Sequence, residues 1–134
     1  MKSTLKIGLA STKRITVDDG RCIGYMGKEG MVYATPWMVL DVERTCRDLL
    51  LEHLDEGEDS VGAHVSIDHV AATPSGLEIT IDVAIVEIEK RRVTFEFSVR
   101  DPVEECGRGK HVRFVADKAR SFERIKAKRA KAGL

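Results

Sequence analysis

The chain has 134 residues, with 22 Lys plus Arg balancing 22 Asp plus Glu and 43% apolar side chains. Zero net charge supplies no global field to draw in nucleic acid or an anionic membrane, and no apolar run approaches the roughly 20 residues of a membrane helix. A chain of this length hides roughly two-thirds of its unfolded surface around one core, so residues 1–134 are expected to form a single domain, with 118–134 as a basic C-terminal tail.

Cys22, Cys46 and Cys106 are far apart, odd in number and without metal-ligand spacing, which argues against a disulfide framework and against a metal site. Met1 to Ala10 offers no apolar stretch of signal-peptide length. The expected setting is the cytoplasm, with no membrane partner.

Leu5 to Val17 is loosely β and breaks at Asp18-Asp19-Gly20. Four glycines between Gly20 and Gly30, with Tyr25 and Met26 among them, predict a loop. Thr35-Pro36 opens the clearest helix, Thr suiting the N-cap and Pro the first helical position. Its apolar stripe, Val39, Val42, Cys46, Leu49, Leu50 and Leu54, runs in steps of three and four to about Leu54.

The period then switches to two. Val61, Ala63, Val65 and Ile67 alternate with polar or small residues, and Thr73-Pro74-Ser75-Gly76 is a turn. Leu77 to Ile85 and Val93 to Val99 alternate cleanly on either side of a Glu89-Lys90 turn. A last strand runs from about Glu105 to Asp117, with Gly107 and Gly109 suggesting a bulge near its start. Residues 118–131 then form a basic helical tail. Short connections make the last four strands antiparallel neighbours and the helix must cover one sheet face, so the architecture is α+β, one long helix packed on a five-stranded antiparallel sheet.

Three side chains on this scaffold carry chemistry. His69 continues the Val61-Ala63-Val65-Ile67 face, where a histidine is either a hydrogen-bonded core residue or a site residue. Glu43 interrupts the helix's apolar side; a carboxylate buried without partners is costly, so it either belongs to a site or tilts out to water or Arg47. Thr35 is an N-cap or, four and eight residues before Val39 and Glu43, a hydroxyl on the same side of the helix. Gly107-Arg108-Gly109 precedes a strand and is too weak for a nucleotide motif. The basic tail is a solvated helix face or a holder of phosphates.

At these residues the chain resembles the hot-dog-fold thioesterases of the fluoroacetyl-coenzyme A thioesterase type. The resemblance is carried by Tyr33-Ala34-Thr35-Pro36-Trp37-Met38-Val39 with Glu43, by Gly57-Glu58-Asp59-Ser60-Val61-Gly62, by His69 through Leu77, and by Gly107 through Arg113. It implies the hot-dog fold, a homodimer with acyl-CoA sites at the subunit interface, and a catalytic set of Thr35, Glu43 and His69. It further implies that Gly62 offers a backbone N–H to the thioester carbonyl, with Arg113 close by. One departure is visible. The fluoroacetate-specific type gates its pocket with phenylalanines just before the catalytic Thr, whereas this chain reads Lys28-Glu29-Gly30-Met31-Val32, which points to a broader or different short-chain acyl substrate.

The expected activity is therefore hydrolysis of a short-chain acyl-CoA by His69 as general base, oriented by Glu43, acting on Thr35 or on a water beside it. Coenzyme A enters only as part of the substrate; no other cofactor or metal is needed. Arg120 and Arg124, sharing a face if the tail is helical, are the candidates for its phosphates. The rival from another class is a non-catalytic acyl-CoA-binding or regulatory domain. No Asp–His pair has enoyl-CoA hydratase spacing, and nucleic acid has only the tail to recommend it.

Overall fold

Each half of the sequence pattern becomes one layer of the molecule, seen in a computed structural model that describes residues 1–134. Strand β1 (Ala10–Thr16) is followed by a loop holding two 3-10 turns and a small ribbon of β2 (Cys22–Ile23) and β3 (Val32–Tyr33). Helix α1 spans Thr35–Leu51, and strands β4 (Glu58–His69), β5 (Glu78–Glu89), β6 (Arg92–Arg100) and β7 (Glu105–Asp117) follow, with helix α2 (Lys118–Lys131) closing the chain. The five long strands form one antiparallel sheet in the order β1-β5-β6-β7-β4, with α1 against one face.

The core lies between α1 and that face. From the helix come Met38, Val42, Cys46, Leu49 and Leu50. From the sheet come Ile79, Ile81, Val83 and Ile85 of β5, and Val93, Phe95, Phe97 and Val99 of β6, each nearly or wholly inaccessible. Full burial of such side chains is worth about 1.5–3 kcal/mol apiece, so the β5–β6 hairpin and α1 anchor the fold. Gly107 and Gly109 lie where a Cβ would meet the Met38 sulfur and the Ser66 carbonyl; they let α1 and β4 close down on β7. The bulge expected near them sits one residue earlier, at the Val99/Arg100 register shift opposite Cys106.

Three expectations are corrected. Strand β4 is not a neighbour of β5: β6 and β7 lie between them, and β4 pairs with β7 at the far edge of the sheet. Helix α1 is capped by Ala34, which makes no side-chain cap bond, so Thr35 is the first helical residue and Pro36 the second. The Thr35 hydroxyl is thereby released from capping. Strand β4 also departs from simple alternation, because its pairing with β7 shifts register between Gly62 and His64. A bulge inserts one residue and reverses which side chains face which way. Ser60 and Gly62 ahead of the bulge, and Ile67 and His69 beyond it, all turn toward α1. Val61 points instead to the outer face, 55% exposed and opposite Phe114.

Strand β4 is an edge, bonded to β7 alone, and residues 61–66 are all exposed. No helix is long and apolar enough to cross a membrane.

Candidate active site

Thr35 and His69 meet where α1 begins and β4 ends. The Thr35 hydroxyl lies 2.7 Å from His69 Nδ1. Burial holds the His69 imidazole below the ordinary histidine value of 6.5, outweighing a raising contribution from the Ala71 backbone. The ring is therefore neutral near pH 7, as a general base must be. Its other nitrogen, Nε2, is buried with no hydrogen-bond partner. His69 borders a cleft of about 270 Å³ that Val32, Tyr33, Val70, Ala71 and Ala72 also line.

Glu43 is not part of that pair. It lies eight residues along α1 from Thr35, about 12 Å at the helical rise of 1.5 Å per residue. Its Oε1 accepts from Arg113 Nη1 at 3.2 Å, while Arg47 pairs with Asp59 instead. Arg113 is 3% exposed and also donates to the Ser60 hydroxyl at 2.7 Å and carbonyl at 2.8 Å. Gly62 passes directly beneath, since a Cβ there would come within 2.5 Å of Glu43 Oε1. Glu43 and Gly62, with Val39, Ala63, His64, Val65 and His111, line a second cleft of about 340 Å³.

The predicted site thus falls into two halves in one protomer. Thr35 is with His69, and Gly62 is with Glu43 and Arg113. Seven residues of extended strand separate Gly62 from His69, roughly 20 Å at about 3.3 Å per residue. One thioester carbonyl cannot touch both halves of the same chain.

Arg120 and Arg124 share a face of α2, which begins at an Asp117 cap, and line a cleft of about 200 Å³ with Val61, Arg91, Phe114 and Ser121. That cleft lies on the sheet face away from α1, at the opposite end of β4 from His69.

Two groups of polar residues were not singled out from the sequence. His111, 3% exposed, bonds the His64 carbonyl through Nδ1 at 2.9 Å and the Arg113 guanidinium through Nε2 at 3.1 Å. Its signal was the two-residue step from Arg113, which puts both on one face of β7. Asp41, 1% exposed inside α1, accepts two bonds from Arg21 and one from the Tyr33 hydroxyl. Arg21 also stacks over Trp37. This brace ties the glycine-rich loop to the helix, and burial with the Asp41 contact drives the Tyr33 pKa far up.

A single helix clasped by an antiparallel sheet, with a hydroxyl–imidazole pair at the helix start and a glycine under a helical carboxylate, defines a hot-dog thioesterase. The chain belongs to the fluoroacetyl-CoA-specific thioesterase (FlK) family, which it matches over residues 16–119. It is 31% identical over 122 residues to the fluoroacetyl-CoA thioesterase of Streptantibioticus cattleyicolor, covering 86% of this chain and 88% of that one. A crystal structure of FlK superposes with a TM-score of 0.86 at 28% identity, over 94% of this chain and 98% of the other. A Thermus thermophilus thioesterase superfamily member shares the fold, with a TM-score of 0.84 at 24% identity over 97% and 98% of the two chains.

Proposed function

We propose that this thioester hydrolase acts on short-chain acyl-CoA in a site completed by a second copy of the chain. The observation that carries the reading is the 2.7 Å Thr35–His69 pair, isolated from its own Gly62 and Glu43 yet beside an open edge strand. Antiparallel pairing of two β4 edges would satisfy those backbone groups. It would also reverse the strand direction across the two-fold axis, bringing the partner's Gly62 and the partner's Glu43 toward Thr35 and His69. Each dimer would then hold two composite sites.

In such a site His69 Nδ1 takes the proton from Thr35, whose oxygen attacks the thioester carbonyl, or from a water that Thr35 positions. The carbonyl oxygen gains negative charge facing the N–H of the partner's Gly62, the type of donor that stabilises an oxyanion. Collapse breaks the C–S bond, and the leaving thiolate takes the proton back from His69. By the Thr35 route, water then releases the acid in a second round of the same steps. The helix N-terminus at Thr35 favours developing negative charge. Arg120 and Arg124 supply positive charge for the phosphates of the acyl-CoA bound in the partner's site.

The cleft beside His69 is lined by Val32 and Tyr33 without a phenylalanine, so it has room for a short acyl chain and little to select fluorine. Thiol release from an acyl-CoA panel tests this. His69→Ala and Glu43→Ala are expected to stay folded and to lose on the order of a hundredfold in rate, while fluoroacetyl- and acetyl-CoA compete with similar specificity constants. Near-normal turnover by either variant contradicts the catalytic assignment. A preference for fluoroacetyl-CoA of several orders of magnitude contradicts the open cleft.

A further inference from the structure

His111 occupies the one place where the bulge of β4, the Arg113 guanidinium and Glu43 come together. Its surroundings dictate its chemical state. Nδ1 faces the His64 carbonyl, which can only accept, so Nδ1 carries the hydrogen. Nε2 faces Arg113 Nη1, which can only donate, so Nε2 presents its lone pair. Both ring nitrogens are thereby committed, and no proton can be added without breaking a bond.

The two bonds act on different parts of the site. The first reaches across from β7 to the residue that ends the Gly62–His64 register shift, where the regular ladder is interrupted and a side chain supplies the missing cross-strand link. The second fixes the guanidinium group that also holds Glu43 Oε1. Gly62 is in the same contact, since a Cβ there would lie 3.4 Å from His111 Cε1.

We propose that His111 is a positioning residue for thioester hydrolysis: its ring clamps the Gly62 bulge and holds Arg113, and through it Glu43, only while the ring is neutral. This rests on the thioesterase reading above. Protonation would set an Nε2 hydrogen against an Arg113 hydrogen and place two cations against one carboxylate. The groups facing the ring are Arg113 on its own strand, Glu43 on α1 and His64 on β4. Cys46, on the α1 side of Arg113, is pushed up to about 12 by burial and stays a thiol throughout. Burial, the largest influence on His111, holds it below 6.5, and Arg113 lowers it further against raising contributions from the His64 backbone and Glu43.

Two ionisations then govern the acid limb of kcat/KM, one at His69 and one at His111. The wild-type limb is expected to steepen toward a slope of about two, as coupled losses of two bases require. His111→Asn keeps a donor for the His64 carbonyl and does not titrate. Its limb is expected to fall to a slope of about one, with roughly tenfold lower kcat/KM at neutral pH, because the Arg113 acceptor is lost. His111→Leu removes both links and is expected to lose about a hundredfold. A purely structural residue would lower activity at every pH and leave the slope unchanged. Nitrogen-15 spectra of the imidazoles read the clamp without turnover, and His111 is expected as the Nδ1–H tautomer, titrating below 6.5. An Nε2–H tautomer, or an acid limb that His111→Asn leaves unaltered, overturns the proposal. A protein with the expected tautomer but no activity on any acyl thioester instead counts against the functional reading.

Discussion

Replacing Gly62 with alanine adds a single methyl group directly against the Glu43 carboxylate. The new Cβ would lie 2.5 Å from Glu43 Oε1, whereas an ordinary contact begins near 3.4 Å, so the carboxylate must retreat by about 0.9 Å. The Arg113–Glu43 bond is already 3.2 Å and does not survive that shift. Glu43 is 36% exposed, so the lost ion pair is discounted for solvent and costs under about 1 kcal/mol of stability. Tm should fall by only about 2–4 °C. Displacement of a catalytic group by about 1 Å can cost a hundredfold in rate, and kcat/KM in a continuous thiol-release assay is expected to drop by that order. If the loss runs through Glu43, the double variant G62A/E43A should be no worse than E43A alone, because the two changes disable one unit. A folded G62A enzyme within about threefold of wild-type kcat/KM, or fully additive losses in the double variant, would refute the reasoning.

Other consequences follow from the remaining polar groups. Asp41→Asn removes a buried charge facing Arg21 and Tyr33 and should cost about 2–4 kcal/mol, lowering Tm in a thermal melt by roughly 10 °C; an unchanged Tm would show that the brace carries no stability. Removing both charges at Arg120 and Arg124 should raise KM for acyl-CoA most strongly at low salt and leave KM for a short thioester lacking the nucleotide unaltered. Equal responses from the two substrates would exclude the arginines from phosphate binding. Because His111 is held below 6.5 in the fold, its contribution to folding stability is complete above pH 6.5. It is lost as pH falls toward the folded value, with a slope of up to about 1.4 kcal/mol per pH unit. Denaturant melts of wild type and His111→Asn between pH 7.5 and 5 measure it, and parallel pH dependences would contradict it.

The layers of this fold are legible in the sequence because the apolar periods are long and unambiguous. Leu77 to Ile85 and Val93 to Val99 alternate without a break and become the buried face of β5 and β6. The α1 stripe is readable for the same reason, although Val39 sits at its shoulder, beside Glu43 over the second cleft. What alternation could not carry is the bulge beyond Gly62. Counting by twos put Val61 on the face of His69, yet one inserted residue reverses that parity and brings Gly62 to the helix side instead. The cap lies one residue before Thr35, and the methyl group of Ala34 gives no capping signal that sequence can show. Asp41 carries no sequence signal, and His111 only its two-residue step from Arg113. Their partners, Arg21 and the His64 carbonyl, lie 20 and 47 residues away, and only tertiary packing joins them. Thr35, Glu43 and His69 stand out by their spacing, but their catalytic roles, like Gly62 and Arg113 as site residues, come from family resemblance. The geometry adds that they form two groups and not one.

That division gives the most direct test. His69→Ala and Glu43→Ala chains, each expected to lose most of its activity alone, can be mixed, unfolded and refolded together. If each site draws Thr35 and His69 from one subunit and Glu43 from the other, a mixed dimer regains one intact site of its two. Random reassortment makes half of the dimers mixed, so activity should recover to about a quarter of wild type. If each protomer supplies its whole site alone, every site in the mixture still lacks one residue. Refolded mixtures with no more activity than the separate variants would contradict the composite site.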